Sequence, residues 1–283
     1  MKIVVIGGSG RIGEKLVRTL GQKYCRVVAA SPTFGVDTVT GVGLEEALAN
    51  AEVVVDVSNA RSLDGASALR FFETSGRNLL STGRAAGVRH HIALSIVGVD
   101  GLLSIDYFRA KKMQEDLIKA SGIPFTILRS TQFFEFISDV VQDGTASEIA
   151  IPPALVQPIA GEDVAATLAA GAFSDALNAT LEVAGPQRFR LDEVATEIAT
   201  AHEDGRKIVA DVHALYFGAE LEERSLLPGP CARIASHTFD DWLRESFQPT
   251  RFSALANENC SLARPRDTDR GRIGPSEVPI RRE

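Results

Sequence analysis

The chain has too few cysteines, histidines and basic residues for several classes of protein. Cys25, Cys231 and Cys260 are its three cysteines; they are odd in number, far apart and form no C-x-x-C pair. That excludes a disulfide framework and fits a reducing cytosol. The five histidines include the neighbours His90 and His91, but successive side chains on a strand point to opposite faces, so the two cannot share one ion. No metal site is expected, and the pair should be solvated polarity at a strand end. Lys and Arg number 30 against 37 Asp and Glu, a formal net charge of −7. Such a surface is not built to neutralise the phosphates of a nucleic acid. The first apolar run, Ile3 to Ile6, is too short for a signal-peptide core or a membrane span. The expectation is a cytoplasmic globular protein whose partner is a small-molecule substrate, with neither nucleic acid nor membrane.

Short β-branched runs alternate with helical patterns as far as Arg129. The runs cover 2–6, 26–31, 52–58, 89–97 and 124–129, and a brief VDTVT predicts a further strand at 36–40. Nearly continuous apolar strands separated by helices indicate a parallel sheet covered on both faces, hence an α/β, doubly wound fold. Helices are predicted at 11–22, 43–50, 63–87 and 104–121; Gly87 and Gly122 supply left-handed caps to the last two. Beyond Arg129 the rhythm loosens into helices at 132–142, 162–173 and 191–203, a Pro-bounded strand and turn at 148–158, and strands at 179–184 and 206–212. The organisation is therefore one domain over 1–247, with a core at about 1–155 and a smaller substrate region at about 156–247. The tail, 248–283, mixes Arg, Pro, Gly and acidic residues with little apolar content after Leu262, and it is predicted to be disordered.

The first strand runs into Gly7-Gly8-Ser9-Gly10-Arg11-Ile12-Gly13. A pyrophosphate seated at a helix N-terminus needs bare backbone amides, and glycines provide them: Gly7 for the turn, Gly10 for phosphate approach, Gly13 for close helix packing. The spacing is G-x-x-G-x-x-G, yet it lies in the first strand–turn–helix unit, where a dinucleotide seat belongs. At the end of the second strand stands Ser31, with no acid before Asp37. A carboxylate there would favour the free ribose of NAD(H). Its lack, together with the guanidinium of Arg11, predicts NADP(H) in preference to NAD(H). Ser95 closes another strand, and Tyr107 and Lys111 follow at i, i+4 on one helix face. A lysine there can stabilise a tyrosinate, touch the nicotinamide ribose and let Tyr107 move a proton to a reduced carbonyl, while the Ser95 hydroxyl steadies its oxygen. Equally, Tyr107 can be a first-turn packing residue and Lys111 an exposed helix charge.

GGSGRIG, DVSNA, ALSIVG, YFRAK and SGIPFTILRSTQFFEF together resemble the atypical short-chain dehydrogenase/reductase superfamily on its NmrA-like, NAD(P)H-binding branch, over about residues 1–245. The resemblance implies a Rossmann-like core and a small C-terminal substrate-binding region. It also implies cofactor contacts from the glycine loop, from Val57, Ser58 and Asn59, from Ser95 and Lys111, and from the stretch containing Thr131, Gln132 and Phe133. Family members often have Arg-Pro-Gly where this chain has Arg129-Ser130-Thr131-Gln132. Phe133, Phe134 and Phe136 can wall a flat or apolar pocket, although core packing is expected to claim at least two of them. The segment His213 to Pro230 is either a pocket rim or an ordinary surface loop. Two functions follow: an NADP(H)-dependent reductase of a small carbonyl, quinone or similar acceptor, or a non-catalytic NAD(P) sensor acting through a protein partner.

Overall fold

Ile3, Val4, Val5 and Ile6 are all buried, which requires cover on both faces of the strand they form. Because successive side chains alternate, Ile3 and Val5 join one apolar cluster with Leu16, Leu20, Val164 and Leu168. Val4 and Ile6 join another with Leu44, Leu79, Leu80 and Ile118. A computed structural model describes residues 1–60, 65–142 and 147–247. The expected tail at 248–283 lies outside them, as do the first two residues of the helix predicted at 63–87. The chain divides into two units, Met1–Leu243 and Arg244–Glu283, and the cleft described below belongs to the first.

From Lys2 to Ser130 the elements are β1 (Lys2–Ile6), α1 (Arg11–Gly21), β2 (Arg26–Ala30), α2 (Leu44–Leu48), β3 (Val53–Asp56), α3 (Gly65–Ala85), β4 (His90–Ile96), α4 (Asp106–Ala120) and β5 (Phe125–Ser130). Then come α5 (Phe134–Gln142), β6 (Glu148–Ile151), β7 (Leu155–Val156), α6 (Gly161–Ala172), β8 (Ala179–Ala184), β9 (Phe189–Arg190), α7 (Leu191–Ala201), β10 (Lys207–Ala210), β11 (Arg233–Ile234) and α8 (Phe239–Ser246). Seven strands make a parallel sheet in the order β11-β8-β5-β4-β3-β1-β2. Helices α1 and α6 pack together on one face and α3 and α4 on the other. This is the Rossmann-like, doubly wound arrangement. The path across the sheet reverses at β1, between β2 and β3, and an open α/β sheet binds ligands at the carboxyl ends beside such a reversal. Among the described residues no helix is long and apolar enough to cross a membrane.

Three expectations need correction. No strand forms at 36–40: the Asp37 carboxylate accepts the amides of Val39 and Thr40 at 2.8 and 3.3 Å, and Asn78 on α3 donates to the carbonyls of Thr38 and Val39. Those groups are thus spent on a turn. The helix and strand predicted at 162–173 and 179–184 do not join the smaller region; α6 covers the sheet and β8 pairs with β5. The smaller region instead draws on α5, β6 and β7, which precede them. There β6 pairs with β10 and β7 with β9, around a cluster in which Trp242 stacks on Phe134 at 5.2 Å. His90 and His91 are buried rather than solvated, since β4 lies between β3 and β5 in mid-sheet. His90 shares a 2.9 Å hydrogen bond with Thr126, and burial pulls His91 down to about 4, so it is neutral near pH 7.

Candidate functional site

The glycine loop is shaped by close approaches of backbone to backbone. Gly7 takes φ +81°, and a Cβ there would lie 2.8 Å from the amide nitrogen of Ser58. At Gly13 a Cβ would lie 2.0 Å from the Gly7 carbonyl oxygen, so α1 can begin flush against the loop only with glycine. The Gly7 and Gly8 amides donate to Ala30 and the Gly10 amide to Gly7. Helix α1 then starts after Gly10 without any side-chain cap. Its first-turn amides carry the positive end of the helix dipole and face the cleft unscreened, the arrangement that favours an anion.

A cleft of about 630 Å³ runs along the carboxyl ends of the strands, within the size range of cofactor sites. Of the residues singled out in the sequence, Gly7, Ser9, Gly10, Arg11 and Ile12 line it from α1 and its loop, and Ser31 lines it from the end of β2. Val57, Ser58 and Asn59 form the wall after β3; Ser95, Tyr107, Lys111, Thr131, Gln132 and Phe133 lie toward β4 and β5. Gly8 and Gly13 stand behind the lining, Gly8 against Ala29 and Gly13 against Gly7. Sequence reasoning missed Asp37, Thr38, Phe71 and Asp139 as lining residues. Of the three phenylalanines, only Phe134 is turned wholly into the core; Phe133 and Phe136 line the cleft. The 213–230 segment contributes its rim through Tyr216 and Phe217. Among the described residues, the buried hydroxyls Ser31 Oγ and Thr131 Oγ1 have no protein partner, and Tyr216 and Gln132 have at most each other. Buried polar groups are nearly always paired, and these four residues line one cavity.

The expected Ser95–Tyr107–Lys111 constellation is arranged differently. Ser95 donates its hydroxyl to Glu115 Oε1 at 2.7 Å, because the alternation of β4 sends it toward α4. Lys111 is buried rather than an exposed helix charge. It donates to the Leu94 carbonyl at 2.8 Å and to Gln114 at 2.5 Å, with its ammonium 4.6 Å from the Phe72 ring centre. Gln114 passes the contact on to Asp56, which also accepts the amide and hydroxyl of Ser58. A hydrogen-bonded line thus ties α4 to the cleft wall after β3. Burial lowers Lys111 to about 8, against the pull of Asp56 and Glu115. Tyr107 donates to Asn59 Oδ1 at 3.2 Å, and burial pushes its phenol up to about 12 against that hydrogen bond. Lys111 does not lower it in this arrangement, so Tyr107 keeps its proton at neutral pH. Arg11, also expected to stand free for a phosphate, is held 2.7 Å from Asp139 on α5.

Known proteins share this fold. A family model described as NAD(P)H-binding matches residues 34–175, half of the chain. The photosystem II assembly factor Ycf39 of Cyanophora paradoxa is 27% identical over 149 residues, 48% of this chain and 46% of that protein. The chain thus aligns with about half the length of that curated relative. Among solved structures, a short-chain dehydrogenase/reductase superfamily protein from Agrobacterium tumefaciens with bound NAD superposes with TM-score 0.65 at 18% identity, over 92% of this chain and all of that one. The NADPH-dependent quinone oxidoreductase of Escherichia coli, complexed with NADPH, gives 0.58 at 18% identity over 75% and 78% of the two chains. The chain belongs to the NAD(P)H-binding family whose model it matches.

Proposed function

We propose that the protein is an NADP(H)-dependent oxidoreductase that reduces a small carbonyl, quinone or similar acceptor. One observation carries the reading: the uncapped start of α1, the unpaired hydroxyls of Ser31 and Thr131, and the buried polar pair Tyr216 and Gln132 all belong to the lining of one cleft. A dinucleotide would meet those needs, its pyrophosphate on the α1 amides and its two ends against Ser31 and Thr131–Gln132. Bound NADPH supplies a hydride. The chain's own part is to hold the coenzyme along the strand ends, to exclude water with Phe133 and Phe136, and to offer the Tyr107 phenol proton to the acceptor oxygen. The proposed setting is the cytoplasm and the proposed partner a small molecule rather than nucleic acid, on the scattered cysteines and the acidic charge.

The preference for NADP(H) rests on Ser31, which puts no carboxylate at the end of β2, and on Arg11. Asp139 offsets that cation until a phosphate competes for it. Replacing Arg11 with Ala should therefore raise the Kd for NADPH about tenfold, the worth of one charge-assisted hydrogen bond, and leave NADH unchanged. Calorimetric titration with both coenzymes checks this; equal losses for the two would remove Arg11 from the phosphate. Lys111 adds a pH dependence. Its folded value near 8 means that its ammonium is present below pH 8 and lost above it, so coenzyme affinity should fall between pH 7 and 9. The same titration on Lys111→Met should be flat across that range.

A second reading, a non-catalytic NAD(P) sensor acting through a protein partner, is favoured by the commitment of Ser95 to Glu115 and of Lys111 to Leu94 and Gln114. NADPH oxidation against a panel of carbonyls and quinones separates the two. Tight coenzyme binding without turnover defeats the first reading, and a set of captured partners unchanged by NADP(H) defeats the second.

A further inference from the structure

Phe217 is placed by an unfavourable backbone. Tyr216 and Ala219 exchange two backbone hydrogen bonds, at 2.8 and 3.2 Å, across a two-residue turn in which Phe217 has φ 49° and Gly218 φ 88°. Such turns ordinarily use asparagine or glycine, because a bulky residue is disfavoured at positive φ. The ring that results lies between two others: Tyr107 at 5.7 Å and 16°, and Phe136 at 5.6 Å and 11°. Tyr107 belongs to α4 and Phe136 to α5, so the outer rings are carried by packed helices, whereas the middle ring hangs on a turn. The neighbouring Leu215 is exposed, and Gly218 has no atom within 4 Å of where its Cβ would stand. All three rings line the cleft that also holds Thr131 and Gln132.

We infer that the space between Tyr107 and Phe136 is the acceptor slot, and that Phe217 occupies it in place of a flat, conjugated ring of quinone type. The inference rests on the dinucleotide reading of the same cleft and narrows its substrate to planar acceptors. Phe217 leaves the slot with its turn when such a ring enters, and the ligand then stacks on the two helix-borne rings.

Anthraquinone-2-sulfonate, which is flat and soluble, serves as the probe, with cyclohexanone as a carbonyl that cannot stack. Each is titrated by calorimetry into the full chain with and without saturating NADP⁺, so failure of coenzyme binding is read separately from failure of the slot. Phe217→Asn keeps a residue that tolerates the turn and removes the competing ring; it should tighten anthraquinone-2-sulfonate binding about tenfold, the scale of an aromatic contact. NADP⁺ affinity should not change, nor should cyclohexanone gain. Phe136→Leu should weaken the probe by a similar factor. If Phe217→Asn leaves probe affinity unchanged or weaker, Phe217 is a wall of the pocket rather than a stand-in for the ligand, and the inference is overturned.

Discussion

Gly13→Ala should abolish measurable dinucleotide binding and lower stability by about 2 kcal/mol, in the range of overpacked cores. The added methyl would sit 2.0 Å from the Gly7 carbonyl oxygen and 2.8 Å from both the Gly7 carbonyl carbon and Gly8 Cα. All three are backbone atoms of the loop itself, so no side chain can swing away and α1 must retreat. Retreat lifts Ile12, Leu16 and Leu20 from the sheet and withdraws the first-turn amides from the phosphate position. Gly21 at the other end of α1 has no atom within 4 Å of its Cβ position, so Gly21→Ala should bind coenzyme normally and be slightly more stable through helix propensity. Urea unfolding and NADPH titration of the two variants form the comparison. Wild-type affinity in Gly13→Ala would mean that the coenzyme does not sit on this loop.

That loop was legible because its geometry is local: strand, turn and helix are contiguous, and each glycine answers a contact within the same unit or with the neighbouring strand's end. The extra strand at 36–40 misled because alternation in VDTVT is real, but the Asp37 side chain bonds the Val39 and Thr40 amides first. The 161–184 stretch was assigned to the smaller region because the rhythm before it breaks at β6 and β7, and nothing in a sequence says that the chain then returns to the sheet. The orientation of Ser95 could have been foreseen. Ala93 packs in the cluster beneath α3 and α4, and period-two alternation sends Ser95 the same way, toward a glutamate four residues after Lys111. Phe217 could not have been, because its place depends on rings contributed by α4 and α5, far away in the chain.

That glutamate carries the second large expected effect: Glu115→Ala should cost about 3 kcal/mol, the lower end for breaking a buried ion pair. Glu115 accepts two hydrogen bonds from Arg129, Nε to Oε1 at 2.8 Å and Nη2 to Oε2 at 2.7 Å, a third from Ser95 and a fourth from Lys119 at 3.2 Å. Its side chain is 1% exposed and that of Arg129 11%, so solvent screens the pair weakly. Removing the carboxylate leaves the guanidinium with Asp100 alone, on the exposed side, and leaves the Ser95 hydroxyl without its acceptor. The pair joins α4 to β5 beneath the cleft floor, so the loss should fall on stability far more than on coenzyme affinity. Arg129 and Ser95 hold Glu115 below the usual carboxylate range against its burial. Its contribution is therefore complete above its unfolded value and is lost as pH falls through the lower folded one, which makes Glu115→Gln less stable than wild type at pH 7 and less sensitive to acid below pH 4.5. Replacing both partners, as Glu115→Leu with Arg129→Met, should recover much of the loss, since apolar residues need neither charge nor acceptor. Urea unfolding of the two single variants and the double variant at pH 7 and pH 4 measures the coupling; additive losses would show that Arg129 does not depend on Glu115.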